Sequence, residues 1–144
     1  MSEIVFKIED MSPQVKEQLD VAIEKALYAS GVAIQEGATR AISGQYDPSL
    51  RAVDTGRLRA SISFITSQAK SPIPQDAPKE LKLDDMLSGR ADKNSVIYGT
   101  NVEYATFVEN GTSRMTGRPF LRTGVDMKKG EIVKTIEKIF KGEL

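Results

Sequence analysis

The stretch PQVKEQLDVAIEKALYASGVAIQE, residues 13–36, decides the fold. Val15, Leu19, Ala22, Ile23, Ala26, Leu27, Ala33 and Ile34 recur at 3.6-residue spacing, the pattern of a helix with one apolar face. Residues 10–12 carry capping chemistry and Pro13 suits a first helical turn, while Gly31 and Gly37 are weak points. At 1.5 Å per residue the helix is roughly 36 Å long, which is long for so small a domain.

Before it, Ile4, Phe6 and Ile8 alternate along one face and predict a short half-buried strand. After it, residues 43–53, with Gly44, Asp47 and Pro48, read as a loop. Asp54 or Thr55 can then cap a short helical turn, and Ile62 and Phe64 alternate in a strand to about Ser67. Pattern is lost over residues 68–94, which hold three of the six prolines and one weak helical patch at Leu81, Leu83, Met86 and Leu87. A connection of that length inside a compact domain is uncommon, and it reads as a loop or arm. Strand character returns at Val96 and Tyr98, so 60–67 and 94–100 are expected to pair antiparallel with the excursion at their tip.

Residues 101–111 predict a short amphipathic helix. Asn101 is a good cap, Glu103 suits the positive end, Tyr104, Phe107 and Val108 share a face from which Tyr104 and Phe107 are expected to anchor the helix in the core, and Gly111 stops it. A basic loop, residues 112–118, leads to Pro119, which can open a last helix. There Ile132, Val133, Ile136, Ile139 and Phe140 form a stripe opposite Lys134, Lys138 and Lys141, and Gly124 and Gly130 invite a kink or interruption. The expected fold class is α+β. Long N-terminal and C-terminal helices pack on a small, mainly antiparallel sheet, in one domain spanning 1–144 with the long loop between two central strands.

The chain has 144 residues, 40% of them hydrophobic and 28% charged, values of an ordinary globular domain. It contains 20 basic and 20 acidic residues, so its formal charge is zero. That balance argues against a protein held mainly by polyphosphate or by an anionic membrane. With no cysteine and no histidine, disulfides, thiolate-bound metals, iron–sulfur clusters and Ser-His-Asp triads are excluded. No run approaches the 18 or so apolar residues of a membrane span. The first ten residues, with Glu3, Glu9 and Asp10, read as neither signal nor transit peptide. No cofactor or metal is expected.

Two catalytic readings were weighed against simpler ones. Asp54-Thr55-Gly56 is the tripeptide of aspartic proteases, but those are almost all β, and Arg57 beside Asp54 opposes the proton sharing that such a dyad needs. Asp54, Glu103 and Glu109 could serve a magnesium-dependent nuclease. A turn cap, a helix start and a solvated helix end explain them more cheaply. Arg57, Arg59, Arg114, Arg118 and Arg122 lie in or beside turns, where arginine suits interface ion pairs or phosphate contact.

Three segments carry a family likeness: Val53-Asp54-Thr55-Gly56-Arg57-Leu58-Arg59-Ala60-Ser61-Ile62, Val102-Glu103-Tyr104-Ala105-Thr106-Phe107-Val108-Glu109-Asn110-Gly111-Thr112, and Arg118-Pro119-Phe120-Leu121-Arg122. In that order the chain resembles the small tailed-bacteriophage proteins described as tail components or head–tail joining (neck, tail-completion) proteins. It departs from them in the long excursion over residues 68–94 and in Thr123-Gly124, where a Pro-Ala pair often follows the last motif. The resemblance implies a structural virion protein with no catalytic activity, made in the bacterial host cytoplasm and built into the virion neck or tail. It implies copies forming a ring, hexameric or dodecameric, between portal or adaptor and tail-tube or tail-terminator proteins, with contact to phage DNA in the lumen and none to membrane. Asp54, Gly56 and Arg57 are then expected to shape the turn, and Gly111, Pro119 and Phe120 to frame the later motifs. Arg57, Arg59, Arg114, Arg118 and Arg122 are expected to meet a neighbour or the lumen. The alternatives are a small metal-dependent nuclease or aspartic-type protease using Asp54, and a regulatory module binding one host protein as a monomer or dimer.

The zero charge is unevenly divided. Residues 1–50 hold 4 basic and 8 acidic groups, and residues 51–144 hold 16 and 12. An acidic long helix and basic motif loops suggest complementary subunit faces.

Overall fold

The computed structural model describes residues 2–5 and 13–143. Helix α1 spans Pro13–Ile42. It outruns the expected end near residue 36 because Ala38, Ala41 and Ile42 prolong the buried stripe. Its glycines are contact points and not weaknesses. A Cβ on Gly31 would strike the Phe64 ring, and one on Gly37 would lie 2.5 Å from the carbonyl oxygen of Gly124. Gly124 belongs to α4, Phe120–Phe140, a single helix that neither it nor Gly130 interrupts. The expected break is therefore absent, and Gly37 and Gly124 let two helix backbones nearly touch.

Strands β1 (Ser2–Val5), β2 (Ser63–Thr66) and β3 (Ser95–Gly99) form one antiparallel sheet in the order β1-β3-β2. The expected pairing of the segments at 60–67 and 94–100 is present, with Phe64 opposite Tyr98. It starts later because residues Arg57–Ser61 form the short helix α2. Ile4 packs against the helices. The expectations for Phe6, Ile8 and the caps at residues 10–12 lie outside the described residues.

Alternation sorts the sheet into two faces. Phe64, Val96 and Tyr98 join Ile23, Leu27 and Ile34 of α1 and Ile132 of α4 in the main core, and Tyr28 meets Phe64 edge-on at 5.2 Å. Ile65 and Ile97 turn the other way, onto Leu87 and Ala91. A second cluster at the C-terminal end of α1 gathers Ala38, Ala41, Ile42, Leu58, Ile62 and Phe120.

The excursion over residues 68–94 thus lies against the sheet. Ser71 donates its N–H to the Phe64 carbonyl (2.9 Å) and its hydroxyl accepts the Phe64 N–H (3.1 Å), which closes the β2 edge. Further on, the Leu87 N–H bonds the Ser63 hydroxyl at 2.9 Å and the Ala91 N–H bonds the Thr66 carbonyl at 3.3 Å. The weak helical patch there is one 3-10 turn, Leu83–Asp85.

Helix α3 spans Ala105–Asn110 and ends, as expected, at Gly111 with φ +81°. Two expectations fail around it. Asn101 does not cap it, because its side-chain amide donates to the Met86 carbonyl at 3.0 Å and Tyr104 takes the cap position. Phe107 does not anchor the core. It is 55% exposed, while Ala105, Tyr104 and Val108 make the inward contact. The basic loop contains a small hairpin, β4 (Gly111–Thr112) and β5 (Met115–Thr116). On α4 only Ile132, Ile136 and Ile139 of the expected stripe turn inward, whereas Val133 and Phe140 are largely exposed.

Candidate functional site

The three motif segments meet in the second core cluster, through Leu58 and Ile62, Val102 and Ala105, and Phe120, and the first two also meet at Arg57. Gly56, at φ +86°, makes the turn that a side chain with a Cβ adopts only under strain, and it occupies the cap position of α2. The expected cap by Asp54 is not made; the Thr55 hydroxyl accepts the Arg57 N–H at 3.2 Å. Asp54 stands exposed on the rim of a shallow cavity of about 530 Å³, which Thr55, Gly56, Arg57, Arg59 and Tyr104 also line.

Arg57 reaches out of this turn to two carboxylates. Its Nε and Nη2 donate to the two oxygens of Asp85 at 2.8 and 2.7 Å, and Nη1 and Nη2 donate to Glu103 at 3.2 and 3.1 Å. Both contacts are two-pronged, the geometry that a planar guanidinium favours. The guanidinium carbon also lies 5.7 Å from the Tyr104 ring centre. Asp85 is nearly closed off, its side chain 5% exposed against 16% for Arg57 and 72% for Glu103. Hydrogen bonds from Arg57 hold both carboxyls below their ordinary range, and Asp85 then Glu103 hold the guanidinium above its own. Asp85 also accepts the Lys82 N–H at 2.9 Å, while its carbonyl accepts the Asn101 N–H at 2.9 Å. One residue of the excursion is thereby pinned to α2 and to the segment before α3.

Glu109 has a second structural use. Its two oxygens accept the N–H groups of Leu121 and Arg122 at 3.0 and 3.1 Å. These are orphan donors of the first turn of α4, whose own cap residue, Pro119, offers no side-chain bond. The carboxylates considered for a metal thus have separate structural partners or none: Glu103 holds Arg57, Glu109 caps α4 and Asp54 is solvated. Among the described residues, no group of three or more acidic side chains is placed to hold a metal ion.

The remaining arginines divide in two. Arg51 donates to the Ser43 carbonyl at 3.1 Å, Arg59 to the Ser43 hydroxyl at 3.4 Å, and Arg118 to the Arg51 carbonyl at 2.7 Å. They collect at the negative end of α1, where cations are favoured, and none has a carboxylate partner among the described residues. Arg114 and Arg122 are exposed, and their side chains make no hydrogen bond or ion pair among the described residues.

Three residues of this framework lie outside the sequence expectations. Arg51 looked like any loop arginine, and Asp85 lay in a segment without periodicity. Lys128 did leave a signal, since it falls on the spacing Phe120, Gly124, Lys128, Ile132 that α4 buries. Its ammonium sits between Glu131 at 2.9 Å and Glu36 of α1 at 3.4 Å, and the bond to Glu131 raises its pKa.

Guanidinium and carboxylate groups thus lock the loops in place, and further arginines turn outward. A family model described as the bacteriophage HK97-gp10 tail component matches residues 2–111, and the chain belongs to that family. That family is one of structural tail components of bacteriophages. The match takes in the first motif and the second as far as Gly111, and stops before the third, Arg118-Pro119-Phe120-Leu121-Arg122. No curated protein and no solved structure matches the chain. Among the described residues, no helix is long and apolar enough to cross a membrane.

Proposed function

We propose that the protein forms a closed ring in the neck or at the end of the tail, joining head to tail or completing the tail, with six or twelve copies. The observation that carries this is the apolar surface left open on a fold whose core is otherwise closed. Val21, Phe107 and Met127 are each more than half exposed, and they lie on three different elements. Apolar residues open on several elements leave the protomer burial to gain against neighbours on more than one side, as a heterologous ring contact requires. Portal or adaptor proteins on one side and tail-tube or terminator proteins on the other are the partners that this position requires.

Arg51, Arg59 and Arg118 are the face assigned to the channel, because clustered guanidinium groups without carboxylates suit passing phosphates. Arg114 and Arg122, free of internal partners, are assigned to subunit contacts, and Arg57 is not, since its own chain occupies it. A reconstruction of the assembled particle tests the reading. It is expected to show a closed ring of this chain between portal and tail, and density for single, separated copies overturns it.

A further inference from the structure

An apolar groove of about 840 Å³ runs between the N-terminal half of α1 and the C-terminal half of α4. Val21, Tyr28 and Ala29 form its floor on α1, facing Ile139, and Val21 is 66% exposed. Glu17, Asp20 and Glu24 recur along the same side of α1 and rim the groove, against a single lining lysine, Lys25. Asp20 shares its charge with Lys93 at 3.0 Å and Glu24 accepts the Thr66 hydroxyl, while Glu17 stands exposed with no ion pair among the described residues.

The complementary surface lies at the other end of the molecule. The hairpin that follows α3 carries exposed Met115 beside Arg114, and Phe107 stands one turn before it. The chain beyond that hairpin is fixed to the C-terminal end of α1 through Arg118, Arg51 and Ser43. The groove centres on residues 21–29 of the same helix, so the two surfaces are roughly 25–30 Å apart along α1 at 1.5 Å per residue. One surface is concave, apolar and acid-rimmed. The other is exposed, apolar and basic.

We infer that the hairpin end of one copy, Phe107, Arg114 and Met115, docks into the α1–α4 groove of the next copy, with Arg114 against Glu17. The contact is heterologous, and repetition of one such contact with rotation closes a ring. Exposed Phe107, which the core does not use, gains its burial there. The inference rests on the proposed ring and adds which faces meet.

Engineered cysteines test it cleanly because the chain has none of its own. Full-length Val21→Cys, Met115→Cys and the double variant are oxidised mildly and resolved on a denaturing gel, with the unmodified chain sized by light scattering. Each single variant can reach only a disulfide dimer, whereas the double variant is expected to give a ladder ending at the ring. No species beyond dimer in the double variant, together with an oligomeric unmodified chain, overturns the pairing and leaves the ring standing. No ladder together with a monomer at every concentration overturns both. In parallel, Glu17→Arg and Arg114→Glu are each expected to weaken self-association by about tenfold, and the double exchange to restore most of it. A double exchange weaker than either single variant overturns the Arg114–Glu17 contact.

Discussion

Asp85 fastens an irregular segment of prolines and mixed charges to the fold with one side chain. Replacing it by Asn removes one charge from the nearly closed Arg57 pair and one of its two prongs. The expected result is a thermal midpoint lower by about 5 °C, read by calorimetry. Because the folded carboxyl is held below its ordinary value of 3.8, its contribution is complete above that pH and is lost as pH falls through the depressed pKa. The acid limb of stability against pH should therefore flatten in Asp85→Asn. Arg57 was legible as a turn arginine, but its partner 28 residues on was not. No periodicity or motif marks an aspartate whose role comes from where a loop returns. The glycines misled for a related reason. Residue type signals backbone freedom, whereas Gly31 and Gly124 are required by what lies across from them. Gly124→Ala should cost about 2 kcal/mol or more through overlap with the α1 backbone. Gly130→Ala, which meets nothing within 4 Å, should add about 0.5–1 kcal/mol through helix propensity. Urea titration of both variants measures the contrast.

At the scale of elements, α4 depends on groups from outside its own sequence. Glu109 supplies its N-terminal acceptors across the hairpin, so Glu109→Ala should destabilise the protein by about 1 kcal/mol, measured by the same titration. Loss of helicity beginning at the first turn of α4, seen by hydrogen exchange at Leu121 and Arg122, would distinguish this from a general loss. Lys128 ties α4 to α1 through Glu36. Its pKa, raised first by Glu131 within α4 and then by Glu36, makes the contribution of these pairs complete below the ordinary value of 10.5 and lost as pH rises through the folded one. The alkaline fall in thermal midpoint should thus be shallower in Lys128→Met. Helices α1 and α4 and the β2–β3 pair were legible because their apolar periods are long or regular. The end of α1 and the start of α3 were not, because burial by Ile42 and diversion of Asn101 to Met86 are tertiary facts.

For the whole molecule, the sequence divided charge between an acidic front and a basic remainder, and the fold turns part of that division into geometry. Acidic groups rim the groove at one end of α1, and unpaired arginines gather at the other. Self-association should accordingly weaken as salt rises from about 0.05 to 0.5 M, when the Debye length falls severalfold. Sedimentation across that range checks it, and association independent of salt would assign the contact to apolar burial alone. The sheet order β1-β3-β2 carries a consequence for synthesis. Its central strand, Ser95–Gly99, is the last of the three to leave the ribosome, so β1 and β2 have no partner until about two thirds of the chain exists. The apolar stripe of α1 stays uncovered for the same interval and waits longer still for α4. A nascent chain stalled before residue 95 should bind chaperone and be digested readily, and one extended past α4 should resist.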